Sequence, residues 1–131
     1  MEEAMEIEIL KEMQKKYQCI GEIERITREI GDSLSRNDRT SAQMLIAMRQ
    51  DEMDRADGYE RNIKCLLSAL PPQEAVLIRG WIRGEEDDKP DSPAAEKIVE
   101  KGRSIRQLLK RAIEIDRHIS TRLAGKDSFY Q

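Results

Sequence analysis

Between Ser35 and Ser41 the chain carries no apolar residue, and on both sides of that gap apolar residues recur at helical spacing. Upstream, Ile9, Met13, Ile20, Ile23, Ile30 and Leu34 follow one another at steps of three, four or seven, which gathers them on one stripe of a helix. Tyr17 and Ile26 widen that stripe, and the Glu, Lys, Arg and Gln between them favour helix and face water. Downstream, the stripe resumes as Ala42, Leu45, Ile46, Met53, Ala56, Tyr59, Ile63, Leu66, Leu67 and Leu70. The gap itself, SRNDRTS, is rich in residues whose side chains compete for backbone hydrogen bonds and prefer turns and helix starts. Asp38 is a good N-cap for the helix that follows. The spacing therefore predicts helices over about 3–35 and 39–69, joined by a reversal into an antiparallel hairpin. No Gly or Pro enforces the break, so one continuous helix is the alternative.

Pro71 and Pro72 end the second helix, and Pro72 suits the first position of the next. That next piece, about 72–83, clusters Leu77, Ile78, Trp81 and Ile82 on one side. The stretch GEEDDKPDSP, residues 84–93, is acidic, carries two prolines and reads as a polar loop. A last helix is expected over about 94–123, capped by Ser92 or Asp91 and stopped by Gly125. Its stripe is Ile98, Ile105, Leu108, Leu109, Ala112, Ile115, Ile119 and Leu123, with Val99 and Ile113 falling off it. A frayed tail over 125–131 completes the chain. The expected fold class is all-α: a single domain built as an elongated antiparallel bundle of three long helices, with a short helix after the second.

Composition supports long helices: 37 % of the residues are charged and only 4 % aromatic, the balance of coiled-coil and helical proteins. The net charge of −3 is uneven. Residues 71–96 hold seven acidic and three basic side chains, whereas 97–131 hold four acidic and nine basic. The basic end can pair with the acidic first helix, and an acidic chain without interleaved aromatics argues against nucleic acid as a partner. No apolar run approaches the roughly 20 residues needed to span a membrane, and the acidic start MEEAMEIEI lacks a signal-peptide layout, so a cytoplasmic location is expected.

No catalytic constellation emerges, and neither enzyme activity nor a cofactor is expected. His118 is the single histidine, with Glu114 one turn before it, too few ligands for a metal. A turn at Asn37–Asp38 sets Cys19 beside Ala56 and Cys65 beside Leu10, about 14 Å apart along the axis. That exceeds the roughly 7 Å a disulfide allows, so both should be free thiols packed as small apolar groups. Arg49 and Glu52 interrupt the second stripe on one face. They read either as an intrahelical pair or as a polar device that fixes register between helices.

Binding surfaces are the more promising reading. In the last helix the repeat 98, 105, 112, 119 defines a packing seam, with Leu109 expected in it. Leu108 and Ile115 form a neighbouring line available to a partner protein. The segment with Leu77, Ile78, Trp81 and Ile82 is either a cap on the open end of the bundle or a second docking patch. Met44, Met48 and Met53 suit core filling or an adaptable client-holding surface. The partner is a client protein or, through exposed apolar surface, a second copy of the chain forming a coiled-coil homodimer.

The layout is similar to flagellar export chaperones of the FlgN type. A long acidic helix ends in LSRND, a second begins at once and carries LIAMRQDEM, and a Pro-broken piece precedes an amphipathic last helix and a tail. The likeness covers most of the chain as a layout and rests in residues mainly on Leu34, Asp38 and Leu45. It implies an all-α chaperone without catalysis. The client would be gripped mainly by the last helix, at positions matching Ile105, Leu108, Leu109, Ala112, Ile115 and Ile119. The basic character of this helix departs from that pattern.

Overall fold

The computed structural model describes residues 3–85 and 89–124, with side chains to 121. Four helices fill this length: α1 (Glu3–Ser35), α2 (Arg39–Ser68), α3 (Pro72–Arg83) and α4 (Pro93–Ala124). The chain reverses at residues 36–38. Asn37 takes φ 59°, the left-handed conformation that an Asn tolerates at a helix end. The Asn37 amide donates to Leu34 O (3.0 Å) and the Asp38 amide to Ser33 O (2.8 Å), closing the last turn of α1. Asp38 then begins α2 by accepting from Ser41 N at 3.0 Å. Its contacts with Ser41 hold the carboxyl below its ordinary pKa, so the cap works at neutral pH and fails as acid protonates it. One residue thus ends one helix and starts the next, and the polar gap in the sequence is this turn.

The three long helices form an antiparallel bundle that runs up, down and up. Lys16 Nζ meets Glu60 Oε2 at 2.7 Å, and Asn62 donates to Glu12, so α2 descends along α1. α4 rises beside α1: Ser92 bonds Glu6 near the base, and Arg111 stands 3.6 Å from Glu24 midway. At the top, a Cβ added to Gly31 would lie 2.8 Å from Ile119 Cδ1, so that glycine is a notch for the α4 side chain. α1 is central. It packs against both α2 and α4, whereas no Cα of α2 comes within 8 Å of a Cα of α4 among the described residues.

Two apolar clusters result. The lower one joins Ile9, Met13 and Ile20 of α1 and Ile63 and Leu67 of α2 to Ile78 and Trp81 of α3 and Ala95, Ile98, Val99, Ile105 and Leu108 of α4. The upper one holds Ile26, Ile30, Leu34, Ala42 and Ile119, with Leu45, Ile46 and Ile115 against it. α3 supplies the fourth element of the lower half. Pro71 and Pro72 start it, and Gly84 at φ 71° ends it, with the Gly84 amide bonded to Trp81 O and the Glu85 amide to Gly80 O. Its side chains are core: Trp81 and Ile78 are fully buried, and Leu77 and Ile82 are half-buried against the cluster. Trp81 Nε1 is a buried donor without a hydrogen-bond partner among the described residues.

Ser92 caps α4. Its Oγ accepts from Ala95 N (3.0 Å) and donates to Glu6 Oε2 (2.6 Å), which fastens the first turn of α1 to the start of α4. Glu6 is only 1 % exposed, and a carboxylate near a helix N-terminus gains from the dipole there. Pro93 rather than Ala94 opens the helix, as proline's missing N–H allows. Residues 86–88 of the acidic loop and the tail over 125–131 lie outside the described residues. Cys19 is buried as expected, while Cys65 is exposed, because its side of α2 is turned away from α1 and α3; both are free.

α3 meets α4 backbone to backbone at Gly102. A Cβ there would collide with the Ile82 carbonyl oxygen and stand 3.2 Å from Trp81 O. On an isolated helix Gly→Ala favours the helix by about 1 kcal/mol. Here the added methyl must push α3 away, so Gly102→Ala is expected to destabilise by about 1–3 kcal/mol instead. Urea melts followed by the fluorescence of the single tryptophan check this: the midpoint falls and the emission of Trp81 shifts to the red as its cover loosens.

Candidate functional site

Above the end of α3 the fourth position of the bundle is open. There α2 and α4 face each other across α1 and leave a groove of about 500 Å³. Ile20 and Ile23 of α1 form its floor, Met53 and Ala56 of α2 one wall, and Leu109, Ala112 and Ile113 of α4 the other. Lys16, Asp57 and Arg117 stand at its rim. The reason for the opening is length. α3 has 12 residues, about 18 Å of helix, beside an α4 of 32 residues, about 48 Å.

The face of α4 that turns toward this position carries residues 95, 99, 102, 109 and 113, spaced by three, four or seven. Its lower members, Ala95, Val99 and Gly102, are buried in the half that α3 covers. Its upper members, Leu109 and Ile113, are 37 % and 55 % exposed. One continuous face is thus covered along half its length.

Among the described residues, one polar bridge crosses the groove. Arg49 Nη1 donates to Asp116 Oδ1 at 2.9 Å and to Thr27 Oγ1 at 3.3 Å. Thr27 Oγ1 in turn donates to Ile23 O at 2.7 Å. The Arg49 side chain is 12 % exposed, so it reaches through the apolar wall to join all three long helices. Of the two readings of Arg49 and Glu52, the interhelical one holds for Arg49, and Glu52 pairs with Arg55 along its own helix.

Of the residues singled out for partner binding, Leu108, Ile115, Leu77, Ile78, Trp81 and Ile82 do not line this groove, whereas Leu109 and Ala112, among the client-gripping positions that the resemblance implies, do. Leu108 is 6 % exposed and seated in the lower cluster, with Cδ2 within 3.9 Å of where a Gly21 Cβ would be. Ile115 is half-buried against the upper cluster. Leu77, Ile78, Trp81 and Ile82 are taken up by the lower core, so this segment is the cap over the open end. Leu109, assigned to the seam, lies at the edge instead. The seven-residue repeat locates the seam, but 108 and 109 flank it on opposite sides. The position of α1 turns the 108 side inward, where Leu108 meets Gly21. Ile113 was the legible signal: it falls off the stripe together with Val99, and α3 covers only Val99. Met44 and Met48 are exposed near the hairpin, away from the groove.

Burial, and next the Glu52 carboxylate, push the Cys19 thiol up, away from the nucleophilic thiolate. His118 is exposed. Among the described residues no group of three or more His, Cys, Asp or Glu could hold a metal ion, and no helix is long and apolar enough to cross a membrane.

The Arg49 bridge is open to measurement. In a double-mutant cycle with Arg49→Met and Asp116→Asn, the coupling should be on the order of 1 kcal/mol, near the upper end for partly exposed pairs. Arg49→Ala should cost more stability than Asp116→Ala, because Arg49 also fills the groove wall and bonds Thr27. Denaturant melts of the four chains check both statements.

Comparison with protein-family models, with curated proteins and with solved structures finds no match, so the groove and its bridge carry the functional reading.

Proposed function

We propose that the protein is a non-catalytic helical protein-binding module that receives an amphipathic helix in the groove between α2 and α4. The observation that carries this reading is the half-covered face of α4: α3 packs on Ala95, Val99 and Gly102, and Leu109 and Ile113 continue that face without a cover. A helix entering above α3 would complete a four-helix cross-section, its apolar stripe laid on Leu109, Ile113 and Met53 in the helix-in-groove manner. A client-holding export chaperone is the form of this function that the layout suggests. Here the grip belongs to the Leu109–Ile113 edge of the last helix, because Leu108 is committed to the core.

Photocrosslinking in the cells that make the protein tests the reading. A photoreactive amino acid at Ile113 or Met53 is expected to give adducts whose crosslinked peptide is an amphipathic helical segment. The same group at Gln14, exposed on α1, should give none. Equal adducts at Gln14, or no adducts at either groove position, would overturn it.

A further inference from the structure

The two rims of the groove carry opposite charge. On α4, Arg106, Lys110 and Arg117 share one exposed line with Ile113, at steps of three or four. On α2, Asp57 lines the groove beside Met53, and Asp54 stands exposed three residues before it, farther round the outer side of the helix. Arg106, Lys110, Arg117 and Asp57 have no ion-pair partner among the described residues, and Asp54 accepts a hydrogen bond from Gln50 at 3.0 Å. Resting on the reading of the groove as a docking site, we propose that its occupant is a second copy of this chain. The two copies form a two-fold dimer whose axis runs along the groove.

The geometry follows from symmetry. A two-fold axis parallel to the helices exchanges the rims and keeps every residue at its own height along the bundle. The basic rim of one copy then faces the acidic rim of the other, twice. An axis across the groove would instead set acid against acid and base against base. Heights can be read from the contacts with α1. Lys16–Glu60 and Thr27–Arg49 place Asp57 level with Cys19 and Asp54 level with Glu22. The Gly21–Leu108 contact and the Glu24–Arg111 pair place Arg106 level with Cys19 and Lys110 level with Ile23. Asp57 therefore meets Arg106 of the second copy, and Asp54 meets Lys110 within one residue, about 1.5 Å of rise. Leu109 and Ile113, turned toward the groove, meet their own copies near the axis, so the apolar seam is closed from both sides. Rim charges fix orientation and partner choice, while the apolar seam supplies the contact area.

The test is a charge exchange, followed by sedimentation velocity from micromolar to sub-millimolar concentration. The wild-type chain is expected to associate reversibly to a dimer. Asp54→Lys with Asp57→Lys puts like charges at both contacts, and so does Arg106→Glu with Lys110→Glu. Each double variant alone should self-associate about tenfold more weakly or worse, a loss of about 1.4 kcal/mol. All four positions are exposed, so their melts should stay near wild type. Mixing the two variants restores opposite charge at both contacts, and the mixture should dimerise as the wild type does. A wild-type chain that stays monomeric throughout overturns the dimer. So does a dimer that the variants do not weaken, or one that mixing does not restore. The docking reading of the groove stands or falls separately: a monomeric chain that still crosslinks another protein through Ile113 and Met53 loses only the dimer.

Discussion

The backbones of α2 and α4 share α1 as a neighbour but stay apart, no Cα of one lying within 8 Å of a Cα of the other among the described residues, and the rest of the structure depends on that constraint. α1 must bury two sides instead of one. Eleven of its residues are buried, as against four of α2. The space between α2 and α4 must be filled by something else. Below, α3 fills it with Ile78 and Trp81. In the middle a groove is left, and above it Ile119 and Ile115 close the bundle onto the hairpin. Stability is therefore expected to be concentrated along α1, with the middle of α4 held on one side only.

Arg49 does in the groove what an apolar contact does elsewhere. Sinking a guanidinium into a wall of Ile23, Met53 and Ala112 carries a desolvation cost that Asp116 and Thr27 offset. An apolar residue there would pack as well but would allow α4 to slide along α1. Arg49 Nη1, shared between Thr27 and Asp116, ties one height of α2 to one height of α4 through a fixed point on α1. The Glu6–Ser92–Ala95 chain does the same at the base. Between these two polar ties, α4 is held in register although the α2 backbone stays apart from it.

Most of the architecture was legible in the residues, because its main signals are local. The break in the apolar beat at Ser35–Ser41 is the turn, Asp38 is the cap, and Pro71–Pro72 and Gly84 bound α3. Ser92 is the cap of the two candidates. The site was less legible, because it depends on which neighbour each face meets. Periodicity shows that α4 has more apolar arc than one seam uses, but Leu108 and Leu109 are equivalent until α1 is placed. Gly102 was silent for the same reason: a glycine inside a helix announces a close approach only when the approaching backbone, here Ile82, is known. Glu6 shows the opposite failure. It keeps the spacing of the apolar stripe with Ile9 and Met13, and its charge hid a core position.

The central claim is that α4 presents one face, covered below by α3 and uncovered above. Paramagnetic relaxation of side-chain methyls by a soluble, neutral spin probe tests it most directly, at the lowest concentration that gives a spectrum. The account predicts strong relaxation at Leu109, Ile113 and Met53, weak relaxation at Val99, Ile105 and Leu108, and a fall in the first group as the concentration rises. Methyls of Leu109 and Ile113 as protected as that of Val99 in the dilute chain, or a Leu108 methyl as exposed as that of Leu109, would contradict it.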